Sequence, residues 1–69
     1  IEAKFSKRLR ELREDRKLTQ EELAARAGLD YKHIQRLEGA SPSSPTLATI
    51  EKLAAAFDLQ PWQLLKFER

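Results

Sequence analysis

Between the apolar side chains of Leu29, Ile34 and Leu37 stand Tyr31, Lys32, His33, Gln35 and Arg36, in the stretch AGLDYKHIQRLEG from Ala27 to Gly39. This polar set is rich in groups able to read a base edge. Arg36 or Lys32 can donate to guanine O6 and N7, Gln35 can pair with adenine, and Tyr31 can contact a phosphate or a thymine methyl. The same set also suits a plain solvated helix face, because exposed helices are full of Lys and Arg. His33 reads as a polar surface residue or cap partner before it reads as a base reader. No nucleophile is placed to make it a catalytic base.

For such a face to act, the elements around it must hold it rigidly. A first helix is predicted over about 4–16, where Phe5, Leu9 and Leu12 recur at helical spacing. A second is predicted over 20–27. Thr19 is its N-cap, Glu22 completes a capping box, and Gly28 can adopt the positive φ that a helix C-terminus needs. Asp30 is the N-cap candidate for a third helix over 31–38, so a tight turn joins the two. The stretch GASPSSP, Gly39 to Pro45, is a loop by composition. A fourth helix is predicted over 46–57, with Thr46 as N-cap and Leu47, Ile50, Leu53, Ala54 and Phe57 on one side. Pro61 suits the first position of a last helix over 61–66, which carries Trp62, Leu64 and Leu65. No segment alternates with period two. The expected class is all-α, five helices in a single domain over residues 1–69.

Composition narrows the chemistry further. A chain of 69 residues supports a core worth only a few kcal/mol net. With no cysteine and a single histidine, neither disulfides nor a metal centre is expected. Paired carboxylates, a nucleophile–base set and a phosphate loop are also absent, so the chain is not expected to be an enzyme or to need a cofactor. No small-molecule ligand is evident. No run approaches the roughly 20 apolar residues of a membrane span, and the expected location is the cytoplasm. The chain has no Met at its start or elsewhere, so further residues beyond either end are to be expected. The net charge of +2 is modest, but ten of the thirteen Lys and Arg residues precede Leu37. Such clustering is the footprint of a nucleic-acid binder, or simply of solvated helices with Glu/Arg pairs.

From Gln20 to Leu37 the residues meet the steric demands of two helices crossing through a short turn. Ala24 is small where the helices approach, Gly28 stands in the turn, and Leu23, Ala27, Leu29, Ile34 and Leu37 close the pair onto a shared core. Such a unit holds its second helix outward, as major-groove reading requires. With its flanks, RLRELREDRKLTQEELAARAGLDYKHIQRLEG and PTLATIEKLAAAFDLQPWQLL, the chain resembles the Cro/C1-type (Xre-like) helix-turn-helix family of phage repressors, restriction–modification controller proteins and antitoxins. The resemblance runs from about Phe5 to Leu65. It implies a five-helix lambda-repressor-like fold that binds double-stranded operator DNA as a homodimer, in a prokaryotic or phage setting.

Carried onto this chain, the resemblance makes Tyr31, Lys32, Gln35 and Arg36 the base-reading positions, with His33 near the groove wall. It makes Gln20 a phosphate contact at the positive end of the second helix, with Thr19 and Lys17 beside it. Ser41, Ser43 and Ser44 would touch the other side of the groove. Arg13 and Glu38 match positions that pair as a semi-buried salt bridge in several relatives. The chain departs from the family in its loop, where Gly39 comes one residue early, Ala40 takes the usual glycine position, and serines and prolines replace Lys or Arg. That predicts a weaker salt dependence. Trp62, Leu64, Leu65 and Phe67 would complete the core or form a dimer seam, with Trp62, Leu65 and Phe67 the interface candidates. Two other functions fit the same sequence: a protein-docking module, and the DNA-targeting domain of a larger protein.

Overall fold

The computed structural model describes residues 2–39 and 44–66, which form α1 (Glu2–Asp15), α2 (Gln20–Ala27), α3 (Tyr31–Glu38), α4 (Leu47–Ala56) and α5 (Pro61–Leu64). No strand occurs among the described residues. Capping chemistry sets most of the boundaries. Thr19 Oγ1 accepts from the Glu22 N–H at 3.0 Å, and Glu22 Oε1 accepts from the Thr19 N–H at 2.8 Å, closing the capping box. Thr46 Oγ1 accepts from the Thr49 N–H at 3.1 Å and starts α4 in the same way. Asp30 stands at the N-cap of α3, but its side chain makes no capping bond. The His33 N–H, which a capping carboxylate would take, donates to the Asp30 carbonyl at 3.0 Å.

Three helices end alike. Lys17, Gly28 and Asp58 adopt left-handed backbone with φ of 56°, 69° and 59°. The next N–H in each case, from Leu18, Leu29 or Leu59, reaches back to a carbonyl five residues earlier at 2.8–3.1 Å. This is the Schellman closure, and each leucine turns onto the core. A Cβ added at Gly28 would meet no atom within 4 Å, so the backbone conformation, not space, calls for glycine there. Gly39 is the opposite case. Its φ is ordinary, but a Cβ would lie 3.1 Å from the Gln35 carbonyl oxygen.

The core gathers Phe5, Leu9 and Leu12 of α1, Leu18 of the turn after it, Leu23, Ala24 and Ala27 of α2, Ile34 and Leu37 of α3, Ile50, Leu53 and Phe57, and Leu64. Around it α2 lies against α3 and α4, α1 against α3 and α5, and α4 against α5. Leu47 departs from the predicted core face, at 81% exposed. It shares that angular face, but as the first residue of α4 it lies beyond the end of the core. The last helix is four residues rather than the expected six. Leu64 is fully buried, whereas Trp62 and Leu65 face outward at 63% and 40% exposed.

Arginines of α1 and of the turn just after it tie this core together. Arg8 Nη2 donates to the Gln63 carbonyl at 3.0 Å, Arg10 Nη2 to the Glu38 carbonyl at 3.2 Å, and Arg16 Nη2 to the Phe57 carbonyl at 3.3 Å. Each acceptor lies at the C-terminal end of another helix, where carbonyls lack intrahelical partners and the helix dipole is negative. The Arg16 guanidinium also sits 5.1 Å from the centre of the Phe57 ring.

Candidate nucleic-acid interface

On α3 the buried and exposed residues divide cleanly. Ile34, Leu37 and Glu38 are buried, while Tyr31, Lys32, Gln35 and Arg36 are exposed and His33 is half-buried. Ile34 and Leu37 fix the helix against α1 and α2 through the shared core, so the polar side chains project from a rigid support. Lys32, Gln35, Arg36 and Gly39 line an open depression on this face. Tyr31 and Gln35, one helical turn apart, are joined by a bond from Gln35 Nε2 to the Tyr31 hydroxyl oxygen at 3.0 Å.

Glu38 holds the far end of the helix. Arg13 Nε donates to its Oε2 at 2.8 Å and Arg13 Nη2 to its Oε1 at 3.1 Å, a two-pronged pair. The side chains are 14% and 3% exposed, so the pair is largely removed from water. Arg13 Nη1 also donates to the Leu18 carbonyl at 2.8 Å. The hydrogen bond to Glu38, helped by the charges of Glu38 and Glu14, raises the Arg13 pKa above the ordinary guanidinium value against the opposing effect of burial.

Gln20, the first residue of α2, points its amide at the same carboxylate, Nε2 donating to Glu38 Oε1 at 3.2 Å. Of the N–H groups at the positive end of α2, those of Thr19 and Glu22 are taken by the capping box and that of Leu23 by the Thr19 carbonyl, which leaves those of Gln20 and Glu21. Thr19 Oγ1 accepts the capping bond and keeps its own hydrogen to donate. Lys17 is exposed in its left-handed turn. Ser44 is exposed, and Ser41, Ser43 and Phe67 lie outside the described residues.

From the sequence, the basic residues of the first helix suit a charge footprint or a solvated face equally. Arg8, Arg10, Arg13 and Arg16 take a third role as ties to carbonyls and to Glu38. Of the other exposed basic groups in this half of the chain, Lys32 and Arg36 lie on the outward side of α3 and Lys17 two residues before the Thr19 cap, with Lys4, Lys7 and Arg26 elsewhere on α1 and α2. Two links went unread in the sequence. The Tyr31–Gln35 bond has the four-residue spacing that would have signalled it. The Gln20–Glu38 bond crosses 18 positions and has no such trace.

Comparison with known proteins places this geometry among others. A family model described as the Cro/C1-type HTH DNA-binding domain matches residues 8–69. The HTH-type transcriptional repressor RghR of Bacillus subtilis (strain 168) is 41% identical over 64 residues, covering 93% of this chain and 47% of the repressor. The chain thus spans about half the length of that relative. Among solved structures, the restriction-modification controller protein C.AhdI from Aeromonas hydrophila superposes with a TM-score of 0.85 at 41% identity. That match covers 91% of this chain and 94% of C.AhdI. The hypothetical transcription factor NHTF from Neisseria superposes with a TM-score of 0.86 at 33% identity, covering 96% of this chain and 73% of NHTF.

Proposed function

The chain belongs to the Cro/C1-type helix-turn-helix DNA-binding family, and on that premise we propose that it regulates transcription by binding double-stranded operator DNA in a sequence-specific way. One observation carries the reading: α3 is anchored by Ile34, Leu37 and Glu38 while Tyr31, Lys32, Gln35 and Arg36 project outward together. A helix so held can enter the major groove without losing its core contacts. In this reading Arg36 and Lys32 donate to guanine, Gln35 pairs with adenine, and Tyr31 reaches the backbone or a thymine methyl. Gln20, Thr19 and Lys17 grip phosphates beside the start of α2, with Ser44 on the opposite side and His33 at the groove wall.

The dimensions support a symmetric pair. The chain measures 29 × 25 × 23 Å, shorter than the roughly 34 Å between successive major grooves on one face of DNA. Reading two grooves would take a second copy, and the exposed Trp62 of α5 with Leu65 just after it are the proposed seam. A second reading, the DNA-targeting domain of a longer protein, is favoured by the 47% coverage of RghR.

The test is a selection of bound sites from random duplex DNA, repeated with R36A and Q35A. Each substitution should lower discrimination at one base pair by about 1–3 kcal/mol while leaving the fold intact. If both variants select the wild-type motif unchanged, α3 is not the reader.

A further inference from the structure

Tyr31 and Gln35 are joined to each other on the exposed side of α3, the Gln35 Nε2 donating to the Tyr31 hydroxyl oxygen at 3.0 Å. Resting on the reading of α3 as the base-reading helix, we infer that the Tyr31 hydroxyl is a positioning group that fixes the direction of the Gln35 amide and thereby makes adenine its preferred base.

The argument turns on what a hydroxyl and an amide can exchange. Turned half a revolution, the Gln35 amide presents oxygen where it now presents nitrogen. A hydroxyl tolerates both orientations, because it can accept from Nε2 or donate to Oε1. A phosphate oxygen removes that freedom, since it can only accept. Once the Tyr31 O–H donates to a backbone phosphate, the phenol oxygen is left with lone pairs alone. Gln35 must then face it with Nε2, the orientation already present in the unbound protein.

The other edge of the amide is thereby set. It offers the second Nε2–H as a donor beside Oε1 as an acceptor. Adenine presents N7 as acceptor and the N6 amine as donor in the major groove, so it meets both. Guanine presents two acceptors, cytosine a donor and thymine an acceptor, so each of these satisfies only one. A contact with the backbone, which by itself carries no sequence information, is in this way converted into base selectivity. The tyrosine ring is 41% exposed and outside the core cluster, so the hydroxyl has no competing duty in the fold.

The experiment compares site selection from randomised duplex DNA by the wild-type chain, Y31F, Q35A and the double variant. Y31F removes one oxygen and keeps the ring, so its thermal unfolding should match the wild type. The wild type should favour adenine about tenfold at one position of each half-site. Y31F should drop that preference to about twofold or less, and the double variant should behave as Q35A does, since the two groups act as a unit. Replacing the contacted phosphate by a methylphosphonate should lower adenine preference in the wild type and leave it unchanged in Y31F. A merely structural tyrosine would not produce that difference.

Three results would overturn the inference. If Q35A loses the adenine preference and Y31F keeps it, the relay is wrong and the base-reading role of Gln35 survives. If Y31F weakens all sequences by one factor with the preference intact, Tyr31 is a plain phosphate contact. If neither variant changes the selected motif, the reading surface on α3 fails with it.

Discussion

Glu38 is a single carboxylate at which three helices meet. It takes Arg13 of α1 in a two-pronged pair and Gln20 of α2 on Oε1, while its own backbone carbonyl takes Arg10. Removing Arg13 strands the carboxylate in a site where it is 3% exposed. R13A should therefore lower stability by about 3 kcal/mol, read by urea unfolding. A loss below about 1 kcal/mol would mean that water reaches Glu38 freely. The pH dependence from the Arg13 side has a definite sign. Its folded pKa is raised, so its contribution is complete below the unfolded guanidinium value and fades only as pH climbs through the higher folded one. Across neutral pH this contribution is flat. The residues of this node were legible to different degrees. Arg13 and Glu38 came from family resemblance, since no periodicity links positions 25 apart. Gln20 was read as a phosphate contact alone, because nothing local marks an amide that turns to a carboxylate on another helix.

Helix ends were readable where their chemistry is local and unreadable where it is not. Thr19 with Glu22, Thr46 and Gly28 act within four residues of themselves, and α2 and α3 begin and end where their caps and spacing indicated. Asp30 has the right residue type without the bond, because the first-turn N–H goes to its carbonyl. Lys17 and Asp58 close their helices in left-handed backbone with no glycine to announce it. The arginine ties of α1 were equally hidden, being set by which carbonyls the tertiary fold brings near. The Asp58 turn gives a direct test. A side chain in that region costs roughly 1–2 kcal/mol, partly relieved for Asp and offset by the greater chain entropy of glycine. D58G should thus stabilise the protein by about 0.5–1 kcal/mol in thermal or urea unfolding. A destabilised variant would show that the Asp58 side chain holds the turn by a contact of its own.

At the scale of the whole molecule, dimerisation and charge are the quantities to measure. Trp62, 63% exposed, lies outside the core cluster, so W62E should leave the helical content of the folded chain unchanged. If Trp62 lies in the proposed dimer seam, W62E should shift sedimentation from dimer to monomer and weaken binding to the proposed operator by more than about tenfold, as loss of one half-site contact implies. A W62E protein that still sediments as a dimer would move the seam elsewhere. If Lys17, Lys32 and Arg36 are the basic groups that meet phosphates, a dimer neutralises about six, giving a slope of log K against log salt near −5. A slope near −10 would mean that the arginines of α1 also reach the backbone. Their tethering to carbonyls at the ends of α3, α4 and α5 has a consequence for a cell carrying few copies of the protein. Random chromosome holds a DNA-binding protein by phosphate contacts alone, and millions of such decoys compete with one operator. Guanidinium groups held against helix ends, where that keeps them from phosphates, would lessen that retention. On the proposed operator-binding role, a larger share of the molecules would stay uncommitted, and promoter occupancy would follow each change in copy number instead of being buffered by the genome.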